Sequence, residues 1–181
     1  MRSVFVLLVF ASAWLIAPPV RAEVATASQG AFLIQAEREV DASPAQAWRS
    51  LISIDRWWNA AHTYSGDARR LHLDARAGGC WCERWGDGQS VEHARVVMVT
   101  EREGVRTLRA VGGLGPLQEM GATGVLTFTI AAHPGGAKIA MTYRASGDPA
   151  LAFDRLAPLV DGVIMEQFDR LIRYSSVGSP N

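Results

Sequence analysis

Lysine is almost missing from this chain: among 18 basic residues only Lys138 is one. The arginines are scattered, as at Arg69-Arg70, Arg84, Arg95, Arg106 and Arg109, and no basic run tracks a phosphate backbone. A nucleic-acid partner is therefore not expected. Cysteine is equally scarce, with Cys80 and Cys82 alone, too few for a disulfide scaffold. Catalytic signatures are missing too. There is no Gly-x-Ser-x-Gly elbow, no His-Glu-x-x-His and no phosphate loop, since Gly112-Gly113-Leu114-Gly115 runs into Pro116 without a helix start. Internal repeats and low-complexity tracts are absent.

What is present begins with an export pattern. Arg2 precedes an apolar run from Val4 to Ala17, and Val20-Arg21-Ala22 offers small residues before a cleavage point. The run of 14 residues is short of the ~20 that span a bilayer. Residues 1–22 thus read as a signal peptide. The mature protein would be periplasmic or secreted, without a stable membrane anchor. The formal net charge of 0 falls to −2 without Arg2 and Arg21. The rest of the 181 residues fits one domain, read as 30–177 behind a flexible leader at 23–29.

Hydrophobic periodicity assigns a strand to Gly30–Val40, with Phe32, Ile34, Ala36 and Val40 on one face. Ser43 and Pro44 open a helix over Ala45–Leu51, and Ile54–Trp58 reads as a second short one. Strands follow at Arg70–Ala75, Cys80–Trp85, Ser90–Thr100, Val105–Val111, Gly124–Ala132 and Ala137–Ala145, separated by glycine-rich turns. Leu126, Phe128 and Ile130, then Ile139, Met141 and Tyr143, each share a face. Gly112–Gly121 has no strand period and reads as a mobile loop, a candidate lid. A long amphipathic helix, with Asp148 as cap and Pro149 behind it, closes the chain near Tyr174. Its stripe is Phe153, Leu156, Val160, Ile164, Phe168 and Leu171. Pro158 should kink or break it, and Gly162 implies either close packing or room for a ligand. The class is α+β, with an antiparallel sheet that must curl around the final helix and leave a cavity.

The densest polar group surrounds Asp87-Gly88, a hairpin signal. A two-residue loop places Glu83 opposite Glu92, Cys82 opposite His93 and Cys80 opposite Arg95. Trp81, Glu83, Trp85 and Glu92 then share the inner face, and Cys80, Cys82 and His93 the outer one. A three-residue loop slips the register by one and moves His93 beside Trp81 and Glu83. Cysteines two apart on a strand have Cα atoms ~6.6 Å apart, near the limit for a disulfide. Two free thiols follow unless a bulge bends the strand.

Val40-Asp41-Ala42-Ser43-Pro44-Ala45-Gln46-Ala47-Trp48 resembles the strand-to-helix entry of the superfamily (SRPBCC) holding START lipid-transfer domains, Bet v 1-type allergens and bacterial polyketide cyclases and dehydratases. Gly78-Gly79-Cys80-Trp81-Cys82-Glu83 and the closing Val163–Tyr174 helix are similar as well. The resemblance spans Gly30 to about Ser175. It implies a helix-grip: a seven-stranded antiparallel sheet wrapped around the C-terminal helix, with two short helices between the first two strands. A branch resembling activators of the Hsp90 ATPase shares that fold, but an exported protein meets no cytosolic Hsp90. Cysteines paired in the third strand are not a general superfamily feature.

The first functional reading is a binding protein that holds a small hydrophobic or aromatic molecule. Trp57, Trp58, Trp81, Glu83, Trp85, Arg109, Met120, Tyr143, Ile164 and Phe168 are the candidate ligand contacts. A cyclase- or dehydratase-like enzyme is the second, with Glu83, Glu92 or His93 as acid or base; either carboxylate could instead pair with Arg106 or Arg109. The third is a thiol or soft-metal site at Cys80, Cys82 and His93, with His72 nearby. No cofactor is called for.

Overall fold

The computed structural model describes residues 23–181; the signal peptide read at 1–22 lies outside the described residues. Eight strands form one antiparallel sheet: β1 (Glu23–Ser28), β2 (Ala31–Val40), β3 (Leu71–Leu73), β4 (Cys80–Trp85), β5 (Gln89–Arg102), β6 (Val105–Val111), β7 (Thr123–His133) and β8 (Gly136–Ser146). Their spatial order is β1-β2-β8-β7-β6-β5-β4-β3. Helices α1 (Pro44–Ile52) and α2 (Ile54–Trp57) connect β2 to β3, α3 (Pro116–Glu119) connects β6 to β7, and α4 (Phe153–Val177) ends the chain.

The expected flexible leader at 23–29 is instead β1, so the sheet has one strand more than expected. Ser28 pairs with Ala31 across a tight reversal, and Val24 lies opposite Ile34. Too few apolar residues mark this strand locally; a partner supplies its order, since β2 satisfies its backbone groups.

Alternation buries one sheet face. Phe32 and Ile34, Leu108 and Ala110, Leu126, Phe128 and Ile130, and Ile139, Met141 and Tyr143 all point inward. Helix α4 covers that face against β1, β2 and β8, and α1 and α2 pack beside it. Ser43 caps α1 by accepting from the Gln46 N–H, with Pro44 in the first turn, as the sequence implies.

The long helix differs from expectation at its start. Asp148 accepts from the Ala150 N–H and so caps a 3-10 turn at Pro149–Leu151. Ala152 then adopts φ 52°, and α4 begins at Phe153 and continues unbroken through Pro158. Pro158 is the sixth residue of the helix, so its ring removes one i→i−4 bond, to the Asp154 carbonyl, without ending the helix. Gly162 is exposed and a Cβ there would meet nothing within 4 Å. It marks neither close packing nor ligand space.

Candidate functional site

The β4–β5 hairpin decides the site. Trp85 pairs with Gln89, so the loop is Gly86-Asp87-Gly88, three residues rather than two. Gly86 and Gly88 stand at φ 51° and 80°, backbone that side-chain-bearing residues rarely adopt. The register is therefore slipped: Glu83 faces Val91 and Cys82 faces Glu92. It returns to the unslipped pairing beyond, with Trp81 opposite Ala94 and Cys80 opposite Arg95. His93 is the extra residue of a β-bulge. A bulge aims neighbouring side chains to one side, and His93 and Ala94 are both buried.

This brings Glu83 and His93 together and removes Glu92 from the inner face. Glu83 is 0% exposed. Its Oε2 accepts from the Tyr64 N–H at 3.0 Å and lies 3.1 Å from His93 Nε2; its Oε1 accepts from the Ser65 N–H. Burial pushes the carboxyl up, but the hydrogen bonds from Ser65, Tyr64 and His93 outweigh it and hold Glu83 below its ordinary value. An ionised carboxylate only accepts, so His93 Nε2 carries the proton and Nδ1 keeps the lone pair. Burial pulls His93 below its ordinary value, against the opposing pull of Glu83, which keeps the ring neutral at pH 7.

That lowered value has a consequence for stability. Below the ordinary imidazole value of 6.5 the unfolded chain takes up a proton that the folded ring refuses, so stability falls as pH drops. Between about pH 7.5 and about pH 5.5 the urea midpoint of the wild type should decrease, and His93→Gln should flatten that slope. Parallel slopes would assign the pH dependence to other groups.

Glu83 also anchors the segment leading into β3. Trp58 Nε1 donates to the His62 carbonyl at 3.0 Å. On α4, Gln167 Oε1 accepts from the Asn59 N–H at 2.7 Å, and Glu166 meets the Asn59 side chain and His62 Nε2. Tyr64, 53% exposed, lays its ring 5.7 Å from that of His93. Residues 59–65 thus form a strap tied to α4 at one end and to the sheet at the other. The stretch read as a mobile lid, Gly112–Gly121, holds the turn α3 instead. It starts at Pro116 after Gly115, contrary to the sequence reading, and Leu117 is buried.

Under the strap an aromatic series runs from core to dyad. Ring centroids are 5.6 Å apart for Trp57 and Trp58, 5.1 Å for Trp58 and Trp81, and 6.3 Å for Trp81 and His93. The Trp81 indole N–H is buried without an acceptor among the described residues. Beside Trp57 and Trp58 lies an apolar slot completed by Leu126, Phe128, Met141, Ile164, Gln167 and Phe168. It has a volume of about 10 Å³, space for about one water, so the expected large hollow between sheet and helix is filled by side chains.

Of the candidate ligand contacts, Trp57, Trp58, Ile164 and Phe168 line the slot, with Trp81 and Glu83 one layer away. Four others sit elsewhere. Arg109 points to the outer face, where its Nε donates to Thr127 Oγ1 at 3.1 Å. Trp85 lies on a surface cleft with Arg70, Arg84 and Gln89. Met120 is 41% exposed at the end of α3. Tyr143 is an interior anchor, its hydroxyl accepting from the Leu114 N–H at 3.2 Å, and burial raises its pKa to about 12. Gly124 makes room for that ring, since a Cβ would come within 2.6 Å of the hydroxyl.

Neither arginine pairs with a site carboxylate; Arg106 stacks 3.8 Å over the Trp48 ring. The backbone N–H groups of Tyr64 and Ser65, Asn59 and Gln167 escaped sequence reasoning. Gln167 alone left a signal, a polar residue flanked by the apolar stripe at Ile164 and Phe168.

On the outer face Cys80 and Cys82 are joined by a disulfide with Cα atoms 5.3 Å apart. The strand is shortened where the register shifts between Trp81 and Cys82. The expected free thiols do not occur: opposite the bulge the two Cα atoms are 5.3 Å apart, closer than the ~6.6 Å of a straight strand. His93 is turned away from both sulfurs, so the proposed thiol and histidine cluster is not assembled.

The fold defines an α+β protein with one antiparallel eight-stranded sheet and a C-terminal helix. An uncharacterised protein from Rhizobium leguminosarum is similar, 22% identical with a TM-score of 0.53 over 80% of this chain and 94% of its own. A hypothetical protein from Helicobacter pylori, 12% identical, has a TM-score of 0.53 over 97% of this chain and 99% of its own. A conserved protein of unknown function from Enterococcus faecalis, 14% identical, reaches 0.51 over 83% of this chain and 75% of its own. At these identities the likeness is one of fold alone. No family model matches the chain, and no curated protein matches it significantly.

Proposed function

We propose that this chain is an exported helix-grip protein of the START and Bet v 1-like superfamily that holds a small apolar or aromatic molecule between its sheet and α4. The slot walled by Trp57, Trp58, Phe128, Ile164 and Phe168 carries the reading. The strap adjoins it through Trp58 and Gln167 and is tied by hydrogen bonds to α4 and to Glu83. Admitting more than one water requires the Trp58 ring, 9% exposed, to leave its contacts with Trp57 and Trp81. Apolar walls with a few polar groups at one end are what small-molecule sites present. The unpartnered Trp81 N–H and the His93 Nδ1 lone pair favour a ligand with one hydroxyl or carbonyl.

Naphthalene and a naphthol serve as probes, followed through tryptophan fluorescence and thermal midpoint. Both should bind saturably at one per chain, and Ile164→Trp, which fills the slot, should abolish binding while the protein stays folded. The naphthol should bind more tightly, with the difference vanishing in His93→Phe. No saturable binding by wild type, or binding unaffected by Ile164→Trp, would remove the carrier reading.

The Glu83–His93 pair supports a second reading, a cyclase- or dehydratase-like enzyme. A neutral imidazole with its Nε2–H held by a buried carboxylate has its other nitrogen set as a base. That role requires substrate within hydrogen-bond reach of Nδ1. The displacement of Trp58 is common to both readings, and turnover that survives His93→Phe would exclude the second.

A further inference from the structure

The outer face of the hairpin carries a separate chemistry, independent of the inner slot because it lies on the opposite side of the sheet. Cys80 Sγ, Cys82 Sγ and a Glu92 carboxylate oxygen all lie within 4.8 Å of one another. Cys80 Sγ is 3.8 Å from Glu92 Oε2. Register adds a fourth group: His72 on β3 is the direct partner of Cys82, as Glu92 is on β5. Directly paired residues project to the same face with Cβ atoms ~5 Å apart, and His72 is exposed, so its imidazole reaches the sulfurs by side-chain rotation. Three adjacent strands therefore bring two sulfurs, one carboxylate and one imidazole to a single patch.

We infer that this patch is a redox-gated zinc site. Cys80 and Cys82, once reduced, hold Zn²⁺ with Glu92 and His72, and the disulfide is its closed form. Two thiolates, an imidazole and a carboxylate make a tetrahedral set of the kind zinc takes. Arg95 keeps Glu92 in place: its Nε donates to Oε1 at 3.1 Å, its Nη2 contacts Oε2, and its Nη1 donates to the Gly78 carbonyl at 2.9 Å. A guanidinium behind a ligating carboxylate orients it in the way outer-shell partners do.

The chemistry balances. A dithiol reductant gives two electrons and two protons to the Cys80–Cys82 bond and leaves as its own cyclic disulfide, by way of a mixed disulfide. Zn²⁺ then displaces the two thiol protons, and a Glu92 oxygen and a His72 ring nitrogen complete the set. In reverse, a disulfide oxidant takes the two electrons by thiol–disulfide exchange and leaves as its dithiol, and the ion is released because a disulfide sulfur is no longer a thiolate ligand.

The test uses the whole chain, reduced by a dithiol, freed of it without air, and given Zn²⁺ alone in competition with a chromophoric chelator. Reduced wild type should take up one zinc per chain and the oxidised form none, with Cys82→Ser abolishing uptake. Loss of an outer-shell partner already weakens metal sites about 10–100-fold. Glu92→Gln, at a half-buried position, and His72→Ala, at an exposed one, should therefore each weaken binding by at least about tenfold. Uptake by reduced wild type no greater than by Cys82→Ser, or equal uptake by the oxidised form, would overturn the site. Wild-type affinity in both Glu92→Gln and His72→Ala would overturn it as well.

Discussion

Glu83→Ala lowers the unfolding free energy by about 3–5 kcal/mol, because three buried donors lose their charged acceptor at about 1–3 kcal/mol each. The carboxylate has no exposed surface and serves three donors, the Tyr64 and Ser65 N–H groups and His93 Nε2. Its removal leaves them facing a gap that backbone N–H groups do not tolerate. Total stabilities are only about 5–15 kcal/mol, so the variant sits close to unfolding. Glu83→Gln keeps one acceptor and should lose less, about 1–3 kcal/mol. Guanidinium midpoints at unchanged slope measure both. A Glu83→Ala loss below about 0.5 kcal/mol, typical of a surface change, would mean that the strap is held by other contacts.

Phe168→Ala should cost about 3–5 kcal/mol through lost burial and the cavity left behind. The ring is 2% exposed, lines the slot, and has the Arg38 guanidinium 5.9 Å from its centre. This variant also tests the slot as a container. Benzene should restore part of the loss, about 1.4 kcal/mol at ten times its Kd, with no rescue of Leu108→Ala, whose side chain does not line the slot although its cross-strand partner Phe128 does. Equal response in both variants would show that benzene recognises generic core defects.

Which residues reach the inner face was mostly legible. Alternation in β2, β7 and β8 and the stripe on α4 follow from period 2 and period 3.6, and burial simply enforces those patterns. Ile164 and Phe168 were placed inward on that basis, while Trp57 and Trp58, at α2, were singled out only as aromatic residues. The dyad was half legible: a three-residue loop was one of two registers, and that slip alone puts His93 beside Glu83. What no local pattern announces is the bulge, since an inserted residue in one strand is defined only against its partner. The disulfide escaped for the same reason, and Glu92 went with it to the outer face.

The strap shows a different limit. Residues 59–65 have no apolar period, and their order comes from Gln167 and Glu166, more than a hundred residues away, and from Glu83. Gly112–Gly121 looked mobile because glycines dominate it, yet Leu117 anchors it. β1 is ordered by its neighbour rather than by its own composition.

Local chemistry in the chain was thus sufficient for the α+β class, the helix caps and the inward sides of the long strands, because each depends on residues within a turn or two. Only the folded chain decided the hairpin register, the bulge at His93, the partners of Glu83 and the space left beside Trp57. These depend on how strands are offset against one another and on how closely side chains from distant segments fill the same volume. A shift of one residue between two strands exchanges the faces, and that shift is a property of the pair.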